Sequence, residues 1–428
     1  MKGLWVAIAA TLALGAGAQE TRGYYKDVFM DGGIFLTSRK DLPAARLLHL
    51  QMEQFISSPH PHINATDTIM QTQMLAGSDI DENGILLYPD GQPRFRMVYV
   101  NGGRATKHGG SLGEKARDNF RKFVDGGGSY LGTCAGQFLA GRGTMNGDKE
   151  DTLKIVREYL SVWPGLARSL GLSKHSTGMF IEPQSPLLRY YDFGGDMRVD
   201  SVWHNGGGYA YEIPQGTEIL ARYDTDTIKM KRYVHRQPSI WAYKADQQSG
   251  RVVCCGSHPE GVADGERLQL MAAMMRYALD GNGTVTVKGA LADGAARNMT
   301  KRTSDNDPDF TMIGDKQYHH FTVDVPDGTS RVEVELKSVG TLKNFDLYLF
   351  ADDKEFAFSD NARWQNVALG IDKTLVVDNP PAGRLHVSVY CATTVDTQMT
   401  AYGTQYTGRV DVLNGVPYVI TATCKQLK

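Results

Sequence analysis

The sequence has only one long apolar run, and it lies within the first 18 residues. Beyond its first 18 residues, no stretch approaches the ~20 apolar residues that a membrane-spanning helix needs, so we expect no membrane span. An excess of one charge is also missing, since 46 basic and 48 acidic residues leave a formal net charge of -2. The protein therefore has no overall positive electrostatic potential that would attract nucleic acid or anionic lipid. A neutral or small-molecule partner fits better.

Cysteine is scarce, with five in 428 residues. Cys391 and Cys424 lie near the end of the chain and are predicted to form a disulfide if the protein is exported. Cys254 and Cys255 alternate along an apolar run and are interpreted as small core residues. Cys134 then remains as the odd thiol, which is either a reactive group or a buried inert side chain.

Patterns typical of metal and phosphate sites are also missing. His60 and His62, and likewise His319 and His320, have no cysteine or carboxylate cluster beside them at ligand spacing. We interpret these histidines as solvated and predict no metal site. The glycine-rich stretches lack the Lys-Ser/Thr of a phosphate loop, and no cofactor is predicted.

The first 18 residues match the pattern of an export signal. Lys2 provides the positive start, residues 4–14 are apolar, and Ala16-Gly17-Ala18 forms a small-residue cleavage site. We therefore predict a signal peptide over residues 1–18 and a secreted or periplasmic mature chain.

Apolar patterning divides the mature chain into two domains. Over residues 19–285, short β-type runs alternate with helical stretches, which predicts an α/β domain with a mostly parallel, doubly wound sheet. Within it, residues 148–172 are charged and amphipathic and are predicted to form a helical insertion near the mouth of the site. Residues 286–312 are polar and are predicted to be a linker. Period-two runs over residues 313–428 predict an all-β sandwich.

A candidate nucleophile follows a β run of the first domain. The run ends at Gly132, Cys134 comes two residues later, and a helical segment begins at Ala135. This is the pattern of a nucleophile elbow with cysteine in place of serine, where Gly132 and Gly136 leave room for the sharp turn and the helix start favours a thiolate. The same pattern alone fits a glycine-rich turn with a buried cysteine equally well.

A candidate base follows another β run, at residues 251–256. His258 lies at the carboxyl end of this run, with Glu260 two residues further on. His258 can accept the thiol proton and return it to a leaving amine, while Glu260 orients the ring and favours the imidazolium. His-Pro-Glu alone would more often be a surface turn, but its position at a strand end beside the elbow favours a catalytic role.

A glycine pair, Gly102-Gly103, ends a third β run. Acyl transfer from an amide requires two N–H donors aimed at the developing oxyanion. We predict that the N–H groups of Gly103 and Ala135 provide them.

Together these segments resemble the class I glutamine amidotransferase-like superfamily, and most closely the domain found at the N terminus of fungal biotin–protein ligases and in stand-alone bacterial proteins. The resemblance rests on Gly102-Gly103, Tyr130-Leu-Gly-Thr-Cys134-Ala-Gly, His204-Asn-Gly-Gly-Gly208 and His258-Pro-Glu260. It implies a triad of Cys134, His258 and Glu260. On the same basis we predict substrate-binding roles for Gly102, His204, Asn205 and Gly206.

The later β region is similar to bacterial pre-peptidase C-terminal domains. The similar segments are Tyr318-His-His-Phe-Thr-Val, Asn344-Phe-Asp-Leu-Tyr-Leu349 and Pro381-Ala-Gly-Arg-Leu-His-Val-Ser-Val-Tyr390. Such domains accompany exported hydrolases, which implies an accessory role in binding a surface or polymer. We therefore predict a secreted cysteine hydrolase that cleaves a small-molecule or peptide amide through an acyl-enzyme. The alternative is a catalytically silent binding protein with a pocket near residues 204–208.

Overall fold

The computed structural model describes residues 23–31, 42–55, 74–146, 152–225, 234–340, 344–400 and 403–426. The predicted signal peptide, together with His60 and His62, lies outside these residues. None of the helices in the described ranges is both long enough and apolar enough to cross a bilayer.

The α/β domain consists of short strands and of helices, four of which lie wholly within the described residues. The helices are α1 (Pro43–Leu47), α2 (Ala105–Asp125), α3 (Ala135–Ala140) and α4 (Gly265–Leu279). The strands are β1 (Lys26–Asp31), β2 (Met52–Phe55), β3 (Phe95–Val100), β4 (Ser129–Thr133), β5 (Gly143–Asn146), β6 (Thr152–Ile155), β7 (Leu166–Ser169), β8 (His175–Ile181), β9 (Arg198–His204), β10 (Gly208–Glu212), β11 (Glu218–Asp224), β12 (Pro238–Tyr243) and β13 (Val252–Cys255).

Nine of these strands form the main sheet, in the order β2-β1-β3-β4-β13-β12-β11-β8-β9. Neighbouring strands from β2 to β13 run parallel, whereas every pair from β13 to β9 is antiparallel. The predicted α/β class is confirmed. Its sheet is mixed, and the antiparallel half was not predicted.

Helices cover both faces of the main sheet because consecutive side chains of its central strands are apolar and point in opposite directions. In β3, Val98 packs in one core with Phe120 of α2. The next residue, Tyr99, packs in the other core with Met274 of α4. The parallel strands thus end at one edge of a layer that is buried on both sides.

A second sheet of four strands, in the order β10-β7-β5-β6, lies beyond this edge. Strands β6 and β7 occupy the segment that the sequence predicted to be a helical insertion. That prediction was wrong. Tyr159, Leu160 and Trp163, whose spacing suggested a helix, lie in the turn between β6 and β7 and are buried.

The C-terminal region is a sandwich of two sheets, as predicted. Its strands are β14 (Val287–Ala290), β15 (Ala296–Met299), β16 (Tyr318–Val325), β17 (Thr329–Ser338), β18 (Leu347–Asp352), β19 (Trp364–Asn366), β20 (Lys373–Asp378), β21 (Gly383–Cys391), β22 (Asp396–Thr400), β23 (Gly403–Thr407) and β24 (Tyr418–Gln426). One sheet has the order β14-β16-β21-β18-β19, and the other has the order β15-β24-β17-β20. Strands β22 and β23 pair separately as a two-stranded sheet. Strands β14 and β15 come from residues 286–312, so the predicted linker contributes one strand to each sheet.

The sandwich is docked against the amino ends of the parallel strands. Arg94, which immediately precedes β3, is buried and pairs with Asp315 of the sandwich region at 2.8 Å. Its guanidinium lies 4.2 Å from the ring centre of Tyr25 and 4.9 Å from that of Tyr406. The two domains therefore share a buried cation between two aromatic rings.

A second buried contact between the domains centres on Asp90. Its Oδ2 accepts hydrogen bonds from Lys288 Nζ at 2.7 Å and from Gln317 Nε2 at 2.8 Å. The apolar core is also continuous, because one cluster of buried side chains extends from Phe95 to Leu336 of the sandwich. The interface is therefore part of the protein interior.

The predicted disulfide between Cys391 and Cys424 is absent, and both thiols are free. Cys391 ends β21 beside the start of β16, and the thiol of Cys424 lies against the carbonyl of Asp324 near the other end of β16. At about 3.3 Å per residue, the length of β16 between these points is roughly 20 Å. A disulfide requires Cα atoms within about 7 Å, so these cysteines lie too far apart.

His319 and His320 are buried in β16, contrary to the prediction that they are solvated. Nδ1 of His319 lies 2.9 Å from the hydroxyl of Tyr418, and Nδ1 of His320 lies 2.7 Å from the hydroxyl of Ser388. Burial lowers the pKa of His320 to about 3. Both rings are structural side chains of the sandwich.

Candidate active site

Cys134 lies at a sharp turn between β4 and α3, with φ +51° and ψ -105°. Positive φ is uncommon for a residue with a side chain, and it often marks a functional turn. Glycines make the turn possible: a Cβ on Gly132 would lie 2.5 Å from the backbone carbon of Gly136, and one on Gly136 would lie 2.1 Å from the carbonyl oxygen of Val100. The turn has the geometry predicted for a nucleophile elbow.

His258 reaches Cys134 because β13 lies next to β4 in parallel, with Cys255 opposite Thr133. Nδ1 of His258 donates a hydrogen bond to Oε1 of Glu260 at 2.8 Å. The side chain of Cys134 also interacts with this ring and favours its protonated form. All three side chains are at least 93% buried, and the structure brings the predicted nucleophile, base and carboxylate together in that order.

The charge state of His258 follows from these contacts. Burial alone would lower the pKa of His258, but its interactions with Cys134 and Glu260 outweigh this effect and raise the pKa to about 10. At neutral pH the ring therefore carries a proton. A protonated imidazole beside the sulfur is the arrangement that supports a nucleophilic cysteine.

Gly102 and Gly103 follow β3 on the other side of Cys134 and have different surroundings. A Cβ on Gly102 would lie only 2.4 Å from Cε1 of His258, so this glycine makes room for the imidazole. We predicted Gly102 to bind substrate, but its contact is with the base. Gly103 lines the cavity beside Cys134 and Ala135, where its N–H and that of Ala135 were predicted to bind an oxyanion.

The segment after β9 packs directly on the sulfur. Sγ of Cys134 lies 3.5 Å from the backbone carbonyl oxygen of Asn205, and Gly206 lines the cavity. The chain fits there because a Cβ on Gly207 would lie 1.7 Å from the carbonyl oxygen of Gly256. Asn205 and Gly206 thus lie at the site where the sequence predicted substrate contacts.

His204 is fully buried and does not line the cavity, contrary to its predicted role. Its Nδ1 lies 3.0 Å from the hydroxyl of Ser257, which is also 3.3 Å from the hydroxyl of Thr177. Burial and the neighbouring charge of His258 lower the pKa of His204 to about 3, so the ring is neutral. It is a positioning residue for the loop that carries His258. Ser257 and Thr177 were missed because nothing in their local sequence marks them.

A cavity of ≈ 240 Å³ opens in front of Cys134. The second sheet forms its far wall, with one residue each from β5, β6 and β7: Thr144, Lys154 and Ser169. The cavity is lined by Gly103, Ala105, Thr106, Cys134, Ala135, Phe138, Thr144, Lys154, Val156, Tyr159, Ser169 and Gly206. Sequence reasoning placed the inserted segment correctly at the mouth of the site, but it identified none of the side chains on that wall.

Two families match the sequence. Residues 78–278 match "Biotin-protein ligase, N terminal", and residues 317–390 match "Bacterial pre-peptidase C-terminal domain". No curated protein sequence shows significant similarity to the chain.

Solved structures with similarity to this chain include a glutamine amidotransferase, at 16% identity and a TM-score of 0.35, with 59% of this chain and 98% of the other covered. A Thermoplasma acidophilum protein assigned to GMP synthase has 13% identity and a TM-score of 0.34, with 59% and 94% covered. A β-galactosidase from Bacillus circulans sp. alkalophilus has 14% identity and a TM-score of 0.28, with 86% and 42% covered. The resemblance inferred from the motifs is confirmed by the two family matches. The chain therefore combines a domain of the biotin–protein ligase N-terminal type with a bacterial pre-peptidase C-terminal domain.

Proposed function

We propose that this protein is an exported cysteine hydrolase that cleaves an amide or peptide bond through a thioester on Cys134. The observation that carries this proposal is the position of His258, whose ring is hydrogen-bonded to Glu260 and interacts with the side chain of Cys134. The two N–H groups of Gly103 and Ala135 would bind the oxyanion, and the cavity in front of the sulfur would hold the acyl group.

In the acylation step, the thiolate of Cys134 attacks the amide carbonyl carbon. A C–S bond forms, and the π electrons of the carbonyl move onto its oxygen. When this intermediate collapses, the C–N bond breaks, and the nitrogen takes the proton of His258 and leaves as an amine. The products are a thioester, a free amine and a neutral His258.

In the deacylation step, neutral His258 removes a proton from water as the water oxygen attacks the thioester carbonyl. A C–O bond forms, the C–S bond breaks, and a carboxylic acid leaves. The thiolate and the protonated His258 are restored, and Glu260 keeps the ring oriented through both steps.

The test is to detect the covalent intermediate on Cys134. The mature protein would be mixed with a panel of peptides, γ-glutamyl amides and cell-wall fragments, quenched in acid, and analysed by peptide mass mapping. We expect an acyl mass on the peptide that contains Cys134, and none in Cys134→Ala. Cys424→Ala is the matched control, because this free thiol lies in the sandwich.

Two outcomes would contradict the proposal. Hydrolysis that continues unchanged in Cys134→Ala would exclude Cys134 as the nucleophile. A panel compound that binds tightly near residues 204–208 without acylation or turnover would instead identify a binding protein. Whether the protein is a hydrolase or a binding protein, we propose that the sandwich attaches it to a surface or polymer outside the cell.

A further inference from the structure

The cavity in front of Cys134 has a distinctive charge. Among the lining residues that the structure describes, Lys154 alone is charged and none carries a carboxylate. Within the part of the chain that the structure describes, no ion pair involves Lys154. Among the described residues, the cavity therefore presents a single charged group, the ammonium of Lys154.

The strand geometry directs Lys154 toward the cavity. Its neighbours on β6, Leu153 and Ile155, are 49% and 54% exposed on the outer face of the second sheet. Because consecutive side chains of a strand point in opposite directions, Lys154 lies on the face that lines the cavity, where its side chain is also exposed to solvent. It lies opposite Thr144 of β5, which also lines the cavity.

The remaining walls fit a short chain with a polar end. Thr144 and Ser169 place hydroxyl groups on the wall that carries Lys154, whereas Phe138 and Val156 provide apolar surface in the same cavity. A volume of ≈ 240 Å³ lies below the roughly 300–1,000 Å³ of sites for drug-sized ligands. The cavity is therefore suited to a single short acyl group.

We propose that Lys154 selects amides whose acyl group ends in a carboxylate. The methylene groups of such an acyl chain would lie against Phe138 and Val156, and the carboxylate would pair with the ammonium of Lys154. The inference rests on the proposed function for its catalytic meaning. The charge preference of the cavity itself can be measured without turnover.

The first measurement uses iodoacetate and iodoacetamide, which alkylate a thiol similarly but differ in charge. The ratio of their rates on Cys134 would be compared in the unmodified protein, Lys154→Gln and Lys154→Glu. We expect the ratio to fall about two- to fivefold in Lys154→Gln, because an exposed ion pair contributes up to about 1 kcal/mol. It should fall further in Lys154→Glu. Lys115→Gln, which changes an exposed lysine on α2, should leave the ratio unchanged.

The second measurement uses three p-nitroanilides with five-carbon acyl chains: glutaryl, pentanoyl and 5-aminopentanoyl. Glutaryl should react fastest with the unmodified protein, and Lys154→Glu should shift the preference toward 5-aminopentanoyl. A rate ratio of the two alkylating agents that does not change in Lys154→Gln would overturn the inference while leaving the proposed function intact. Acylation of Cys134 by none of the three compounds, with the alkylation ratio still dependent on Lys154, would contradict the proposed function and support the charge preference.

Discussion

His258 is buried and yet carries a proton, which makes it sensitive to each of its neighbours. The contacts with Cys134 and Glu260 together overcome the effect of burial on its pKa. Removing one of these contacts should change the pKa of His258 while the other contact stays in place. At the scale of single residues, the site can therefore be tested by changing one contact at a time.

Glu260→Gln should keep the shape of the side chain and remove its charge. Since Glu260 helps to raise the pKa of His258 to about 10, this pKa should fall in the variant. The leaving amine requires protonated His258, so the alkaline limb of kcat/KM should move from near pH 10 to lower pH, and kcat should fall more than KM rises. His258→Ala should be more damaging. The measurement is a pH profile of both variants, and an alkaline limb that stays in place in Glu260→Gln would contradict the assignment.

Gly102→Ala should displace the imidazole, because the added Cβ would lie 2.4 Å from Cε1 of His258. We expect kcat/KM to fall by about a hundredfold, the size of effect produced by a misplacement of about 1 Å. Gly110→Ala is the control, because Gly110 lies within α2 with nothing near its added Cβ. It should preserve activity and add up to about 1 kcal/mol to the free energy of unfolding. Equal activity of the two variants would show that Gly102 has no special role.

The residues of the candidate triad could be predicted from sequence because each lies in a short pattern after a strand. The same holds for Gly103 and Ala135. The contact between Gly102 and His258 could not be predicted, since it joins loops that are more than 150 residues apart in the sequence. Lys154 was missed for a similar reason: an exposed lysine becomes a cavity residue only when the second sheet folds over Cys134.

At the scale of elements, the second sheet shows why helical spacing misled the prediction. Leu160 and Trp163 are buried because their backbone N–H groups donate to the carbonyls of Leu139 and Ala140 at the end of α3. A short helix leaves its last carbonyls without partners in its own helix, and this turn satisfies them. The spacing of the apolar residues in this turn therefore reflects its packing onto α3. The strands of the sandwich were predictable because their period-two pattern arises within each strand.

The separation of Cys391 and Cys424 along β16 leads to a prediction for the thiols. The mature protein, unfolded without reductant, should show five free thiols, since all five cysteines are free in the structure. A reductant should leave the melting temperature unchanged. The count would be made with a chromogenic thiol reagent, and a value of three that rises to five on reduction would contradict the structure.

At the scale of the whole molecule, Arg94 is the central contact between the domains. Arg94→Met should lower the free energy of unfolding by about 3–5 kcal/mol, because it leaves the carboxylate of Asp315 buried without its cation. Combining it with Asp315→Leu should recover part of the loss. The measurement is chemical denaturation of both variants.

An exposed ion pair across the same interface provides the control. Arg302→Met removes the partner of Glu82, but the arginine side chain is 54% exposed, and the loss should be below about 1 kcal/mol. Alkylation of Cys134 should be unchanged in Arg94→Met under native conditions, since Arg94 lies at the amino end of β3, about 20 Å from the carboxyl end. A loss of stability no larger than that of Arg302→Met would show that the buried pair does not hold the domains together.

The continuous core between the domains also determines how this protein can evolve and be engineered. Its two halves match separate families and resemble modules that could be exchanged. One apolar cluster nevertheless extends from the main sheet into the sandwich, so each half would expose buried apolar side chains if it were separated from the other. Recombination at residue 285 would uncover buried aromatic and charged groups on both sides. The two halves are therefore constrained to change together, and a new sandwich would need a compatible counterpart to Tyr25 and Arg94.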